Sequence, residues 1–271
     1  MKTILITGAT DGIGLETARR LASSGCHLLM HGRNETKLER VAAEVAALPG
    51  AGPVDRLIAD LSVLPQVEDL ARAVSERVDQ LDVLINNAGV FNSAHPKTES
   101  GVDVRFVVNT FAPALLTTRL LPLLGPGARV INLSSAAQSP VDLRALAGAR
   151  ELVDGVAYAQ SKLALTMWSQ SLARSLGPDG PTVLAVNPGS LLATKMVHDA
   201  FGVAGADVGI GADVLCRAAL DADFDRTGEY YDNDARRFAA PHPDALDPRT
   251  VEEVVGAIER VVGTLPTSPD D

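Results

Sequence analysis

Tyr158 and Lys162 stand four residues apart in Tyr158-Ala-Gln-Ser-Lys162, and a hydroxyl pair, Ser134-Ser135, lies upstream. Residues i and i+4 share one face of a helix, so an ammonium can stand there beside a phenol. A free phenol, with a pKa of about 10, is a poor base at neutral pH. A neighbouring cation favours the phenolate and brings the group toward the working range of a proton carrier. Taken alone, the spacing also fits a solvated helix face. Its meaning depends on what the rest of the chain would hold against it.

The amino terminus reads as a cradle for a dinucleotide. Ile4-Leu5-Ile6 is a short apolar run that stops at Thr7-Gly8, as a buried parallel strand would, and residues 15–22 continue as a helix. Gly8, Gly12 and Gly14, spaced Gly-x-x-x-Gly-x-Gly, let the backbone turn tightly and approach a pyrophosphate. The helix amino terminus stabilises that charge. Thr10, Asp11 and Ile13 complete the loop and are assigned with it to cofactor binding.

With these residues the chain resembles the short-chain dehydrogenase/reductase family, from residue 2 to about residue 231. The motifs follow in family order. Thr7-Gly8-Ala-Thr-Asp-Gly12-Ile-Gly14 precedes Asp60-Leu61, Asn86-Asn87-Ala88-Gly89 and Asn109; Ser134-Ser135, Tyr158 to Lys162 and Asn187-Pro188-Gly189 come after. Within the family the chain is most similar to retinol-dehydrogenase-like, carbonyl-reducing members. His31-Gly32-Arg33-Asn34 and a long insert between the serines and the tyrosine carry that likeness.

The resemblance implies an oxidoreductase that moves a hydride between nicotinamide and a carbonyl or a primary or secondary alcohol. It implies that Ser135, rather than Ser134, polarises the substrate oxygen and that Tyr158 gives or takes the proton. Lys162 would lower the tyrosine pKa and bind the nicotinamide ribose, and Asn109 would hold a water linking the lysine to solvent. Asn109 also fits a helix asparagine that bonds the backbone, and Ser134 a strand-end hydrogen-bonder. Asp60, next to Leu61, would accept from the adenine amino group. Asn87-Ala88-Gly89 would let the backbone pass close to the adenosine side, and Pro188-Gly189 would complete the cofactor site. The family places a threonine after three further residues; here Ser190-Leu-Leu-Ala intervene before Thr194, which puts its nicotinamide contact in doubt. Two other readings stay open. One is reduction of a conjugated C=C bond. The other is a cofactor-binding regulator without turnover, against which the intact Asn109, Ser135, Tyr158 and Lys162 argue.

Cofactor choice is read at the end of the second strand, where an acidic side chain would select a free ribose 2′-hydroxyl. That place holds Gly32 and then Arg33. With no carboxylate to repel a 2′-phosphate and a guanidinium to grip it, NADP(H) is favoured over NAD(H). Asp11 is a counter-signal, because NADP users in the family often carry a base there.

The elements that must position these groups alternate along the chain. Strands are expected at 3–7, 27–31, 56–59, 83–86, 129–133, 183–187 and 229–231. Helices are expected at 12–23, 35–47, 65–78, 102–123, 158–175, 212–219 and 248–262. This is the pattern of an α/β, Rossmann-type doubly wound parallel sheet of about seven strands flanked by helices. Residues 1–262 read as a single catalytic domain and 263–271 as a loose tail. Two long irregular stretches, 136–155 and 190–208, carry Leu143, Leu146, Leu152, Met196, Val197 and Phe201. These either cover an apolar pocket or pack onto the body of the protein.

Composition bounds the rest. The 271 residues are 46% hydrophobic and 21% charged, ordinary for a globular core, and the net charge of -10 argues against nucleic acid or an anionic membrane. The apolar stretch 111–124 reads as too short to span a bilayer and contains Pro113, Arg119 and Pro122; it is expected to be a buried core helix. Cys26 and Cys216 are far apart, no metal-ligand spacing is visible, and none of the five histidines is assigned a role. The first strand starts at residue 2 with no signal peptide before it, so the chain reads as cytoplasmic. Its expected partner is a small, apolar carbonyl or alcohol. A homodimer or homotetramer through 102–123 and 158–175 is the expected assembly, with Arg119 and the insert as features that would keep the chain monomeric.

Overall fold

Ile4, Leu5 and Ile6 are fully buried, and this is why Thr3–Ile6 forms a central strand, β1. Successive strand side chains point to opposite faces, so Leu5 joins one core layer and Ile4 and Ile6 the other. The computed structural model describes residues 1–263, apart from the side chain of Phe201. From residue 264 the expected tail lies outside the described residues.

After β1 come α1 (Gly12–Ser23), β2 (His27–Gly32), α2 (Glu35–Ala46), β3 (Val54–Ile58), α3 (Leu64–Ser75) and β4 (Val83–Asn86). Next, α4 (Val104–Phe106) runs through a π-helical turn, Val107–Phe111, into α5 (Ala112–Leu120). The chain continues through β5 (Arg129–Leu133), α6 (Leu143–Leu146), α7 (Asp154–Leu176), β6 (Thr182–Asn187), α8 (Lys195–Phe201) and α9 (Val208–Leu220). It ends with β7 (Tyr230–Asp232), β8 (Arg237–Ala239) and α10 (Pro248–Gly263).

The strands form one sheet in the order β3-β2-β1-β4-β5-β6-β7-β8, parallel except for the β7–β8 pair. Strand order reverses between β1 and β4, the place where such sheets collect ligands beyond their carboxyl ends. Ile6 is in register with both Met30 and Ile85. Thr7, His31 and Asn86 therefore arrive together at one edge. One core layer joins the sheet to α3, α5, α7 and α10, and the other joins it to α1, α2 and α9. Fully burying a Leu- or Phe-sized side chain stabilises by roughly 1.5–3 kcal/mol. The two layers thus keep the site's edge of the sheet in place.

Several expectations change. There are eight strands among the described residues, not seven, because Arg237–Ala239 folds back on β7 as an antiparallel hairpin. Neither long stretch is wholly irregular: α6 lies in the first and α8 in the second. Tyr158 does not open its helix but sits in the second turn, since α7 begins at Asp154. An acidic first turn suits the helix dipole, and Asp154 is held there by the buried Arg105. The helical run Val104–Leu123, at 20 residues, is long and apolar enough to cross a bilayer, so "too short" does not hold. Of an apolar 18-residue window within it, 72% is nevertheless buried inside the fold, as in a core helix. Finally, Val251, Val254, Val255, Ile258 and Val262 form the buried stripe of α10. That stripe packs on α7, α5 and the π turn.

Candidate active site

Gly8 and Gly12 take left-handed φ values of 65° and 51°, which opens the loop between β1 and α1. At Gly14 a Cβ would lie 2.4 Å from both Asn87 Nδ2 and the Gly8 carbonyl, so only glycine fits. Two polar side chains stitch this loop to the one after β4. Asn87 Nδ2 donates to the carbonyls of Thr7 at 2.7 Å and Gly8 at 3.1 Å. Thr7 Oγ1 accepts the N–H groups of Asn87 at 3.0 Å and Ala88 at 3.1 Å.

His31, to which no role was assigned, completes the cradle. Its Nδ1 accepts the Gly8 N–H at 3.2 Å, and its Nε2 lies 3.0 Å from the Ala59 carbonyl. A carbonyl can only accept, so the ring is the neutral tautomer protonated on Nε2. Burial pushes its pKa down to about 4. Thr10 lies over Gly32, where a Cβ would come within 2.5 Å of its methyl group, and Ile13 packs by Gly211.

Asp11 caps α1, accepting the Gly12 N–H at 2.9 Å. Its other oxygen lies 2.6 Å from Lys37 Nζ in the first turn of α2. The Lys37 hydrogen bond holds the Asp11 carboxyl below its usual range. Lys37 is a functional candidate the motif reading missed; its spacing of four residues from Arg33 was the available signal. Arg33 is exposed and pairs with no carboxylate among the described residues. Asp60 Oδ1 is engaged by the Ser62 N–H at 2.9 Å and hydroxyl at 2.7 Å, a local turn cap. The Leu61 side chain is buried in the core.

The proton-transfer candidates gather beside this cradle. Tyr158 is half-buried, with its ring 4.7 Å from that of Phe91, a neighbour the motifs did not point to. Lys162 is buried; its Nζ lies 5.6 Å from the Tyr158 ring centroid and donates to the Leu133 carbonyl at 2.7 Å. Burial pushes the ammonium down to about 8. Removal from water raises the Tyr158 pKa, and the Ser135 hydroxyl works the other way. Burial outweighs the Ser135 contact, so the net direction for Tyr158 is upward in this fold.

Ser135 is half-buried, and its Oγ also accepts the Ala137 N–H at 3.1 Å. Ser134 is buried and turned away, with its Oγ 2.6 Å from Thr166 Oγ1. Asn109 lies in the π turn, a device often found at functional sites. Its Oδ1 accepts the Val90 N–H at 2.8 Å, and Nδ2 donates to the Val90 carbonyl at 3.0 Å and Ser161 Oγ at 2.9 Å. Both amide hydrogens are therefore engaged within the protein. The side chain thus bonds the Val90 backbone, as the second reading of Asn109 had it.

A Cβ on Gly89 would lie 3.4 Å from Asn109 Oδ1, 3.6 Å from Lys162 Nζ and 3.8 Å from Met196 Cε, so these groups surround one point. Met196 thus faces the site, whereas Leu146 and Leu152 pack onto the core and Leu143 is exposed. The loop after β6 turns at Gly189, φ 121°, and at Leu191, φ 50°. Despite the extra residue, Thr194 comes to the cradle: its Cγ2 would be 3.2 Å from a Cβ on Gly12. Its hydroxyl caps α8 through the Val197 N–H at 3.2 Å.

Most of the chain is similar to known proteins. A family model described as short chain dehydrogenase matches residues 2–204. Human retinol dehydrogenase 13 is 37% identical over 193 residues, which are 69% of this chain and 58% of that enzyme. The matched part spans 56–64% of the length of the first three curated relatives. Among solved structures, an uncharacterised protein from Mycobacterium paratuberculosis is similar with a TM-score of 0.78 at 28% identity, covering 98% of this chain and 96% of that one. A short chain dehydrogenase from Shigella flexneri 2a, complexed with NADP, is similar with a TM-score of 0.68 at 28% identity, covering 86% and 97%.

Proposed function

The chain belongs to the short-chain dehydrogenase family, and from that premise we propose that it is an NADP-dependent oxidoreductase interconverting an apolar carbonyl compound and its alcohol. The observation that carries the reading is the convergence of Tyr158 and Lys162, 5.6 Å from ring centroid to Nζ, with Ser135 beyond the end of β5, on the same sheet edge as the glycine cradle. The cradle fits a dinucleotide, because Gly8 and Gly12 turn the loop through left-handed φ at the amino terminus of α1, and Gly14 lets it pack tightly against Asn87. The α1 amino terminus and Lys162 are the groups that would hold its pyrophosphate and nicotinamide ribose. When bound, the nicotinamide gives or accepts the hydride.

The chain's own residues supply the rest. Ser135 donates a hydrogen bond to the substrate oxygen and polarises it. Tyr158 hands its proton to that oxygen in reduction and takes it back in oxidation. The burial of Lys162 keeps water from its ammonium and strengthens its field at the reacting oxygen. NADP is preferred because Arg33 offers an unengaged guanidinium where a 2′-phosphate would lie. Lys37 neutralises Asp11, which removes the counter-signal of that carboxylate. The Phe91 ring, the Met196 methyl group and the exposed Val153 and Val156 at the start of α7 favour an apolar substrate.

A panel of ketones, aldehydes, enones and alcohols, followed by NADPH absorbance with product identification, tests this reading. Carbonyl reduction is expected. Tyr158→Phe should keep NADPH binding and lose roughly 10²–10⁴-fold in rate. A variant that keeps a tenth or more of the parental rate assigns the proton to another group. Saturation of only the enone C=C bond, or binding without turnover, overturns the carbonyl assignment.

A further inference from the structure

Ser135 lies beyond the end of β5, in a segment without regular structure up to α6. Its hydroxyl could face Tyr158 only part of the time unless its backbone were fixed. Two side chains fix it. Gln138 Nε2 donates to the Ser135 carbonyl at 2.9 Å, and the Tyr230 hydroxyl donates to the same oxygen at 3.1 Å. Gln138 is oriented in turn by the His242 N–H, which its Oε1 accepts at 3.0 Å. One donor sets a distance, whereas two from different elements restrict rotation of the peptide plane. The second donor comes from β7, 95 residues along the chain.

Tyr230 is buried, and burial together with Asp232 and Asp234 pushes its phenol upward. It therefore stays protonated, a donor at any working pH. The same hairpin holds the loop after β6. Asp234 accepts the Ser190 N–H at 2.9 Å and hydroxyl at 2.6 Å, and Asn187 Nδ2 donates to it at 2.9 Å. Asn233 Nδ2 reaches the Pro188 carbonyl at 2.9 Å.

We propose that Tyr230 and Gln138 are positioning residues that set Ser135 against Tyr158, which makes the β7–β8 hairpin part of the catalytic apparatus. This rests on the proposed carbonyl chemistry only in giving Ser135 and Tyr158 their roles. A merely structural role would be to satisfy a carbonyl, and its loss would weaken the fold without acting through Ser135.

Tyr230→Phe and Gln138→Met, each alone and each in a Ser135→Ala background, separate the two. Alone, each should lower kcat for carbonyl reduction by about tenfold, as loss of orientation does, with the NADPH Kd unchanged. In the Ser135→Ala background neither should lower kcat further. Equal losses in both backgrounds overturn the proposal. A second readout needs no turnover. Gln138→Met keeps all three tyrosines, so phenolate absorbance can be titrated in the full chain with NADP+ bound. The transition missing in Tyr158→Phe should move to higher pH in Gln138→Met, because Ser135 no longer steadies the phenolate. An unmoved transition overturns the positioning role even if no substrate on the panel reacts. A moved one supports it while leaving the substrate reading to fail on its own.

Discussion

His31 Nδ1 accepts the N–H of Gly8 at 3.2 Å, so a buried imidazole in β2 holds the first glycine of the cradle. The bond exists only while that nitrogen carries no proton. Above about pH 6.5 the ring is neutral in both the folded and the unfolded chain. As the pH falls from there toward about 4, the pKa in the fold, only the unfolded chain takes up the proton. Stability should fall over this window by up to about 1.4 kcal/mol per pH unit. Denaturant melts across the window check this. His31→Phe should start less stable at neutral pH and show a shallower slope; an unchanged slope rejects the role.

Lys162 carries the opposite consequence. Its pKa in the fold, about 8 against an ordinary 10.5, means that the charged lysine is held at a cost. From pH 10.5 down to about 8 only the unfolded chain gains a proton here, so this group makes the fold less stable at neutral pH than at high pH. Lys162→Met should therefore leave thermal stability at neutral pH equal or higher by about 1–3 kcal/mol, after the lost Leu133 bond. The same variant should lose turnover and NADPH affinity. A clear fall in Tm would show that the lysine is structural.

Arg33 and Lys37 should set cofactor choice together. NADP(H) is expected to bind at least about tenfold tighter than NAD(H), about 1.4 kcal/mol. Arg33→Ala should erase most of that margin. Lys37→Ala should reduce it as well, since it also leaves Asp11 without its counter-charge. Fluorescence titration of both cofactors decides it, and equal affinities in the parent would reject the assignment.

Assembly should follow from α10. Its apolar stripe packs on α7 and α5 within the chain, which leaves a partner subunit less apolar helix surface there among the described residues. Light scattering at micromolar concentration should give a mass near 28.3 kDa. A dimer that persists on dilution would mean that another surface is used.

What the sequence alone determined is what local spacing encodes. The apolar run of β1, the three glycines and the Tyr158–Lys162 helix face are set by neighbours within a few residues, and α1 and β4 fall where periodicity puts them. Short elements were beyond its reach. β8 has three residues, too few to alternate visibly, and it exists because β7 offers it an edge. The chemistry of the site was decided almost wholly by tertiary structure. Spacing puts Lys162 beside Tyr158, but only the end of β5 brings the Leu133 carbonyl to its ammonium, and only the fold buries the phenol. Asn109 is engaged by Val90 and Ser161, Asp11 by Lys37, Gly8 by His31 and Ser135 by Tyr230; none of these pairs shares a helix turn. A hydrogen bond depends on distance and direction within a few tenths of an ångström. Residue types state which bonds are possible, and only the packing of the sheet and its two helical layers selects the ones that form.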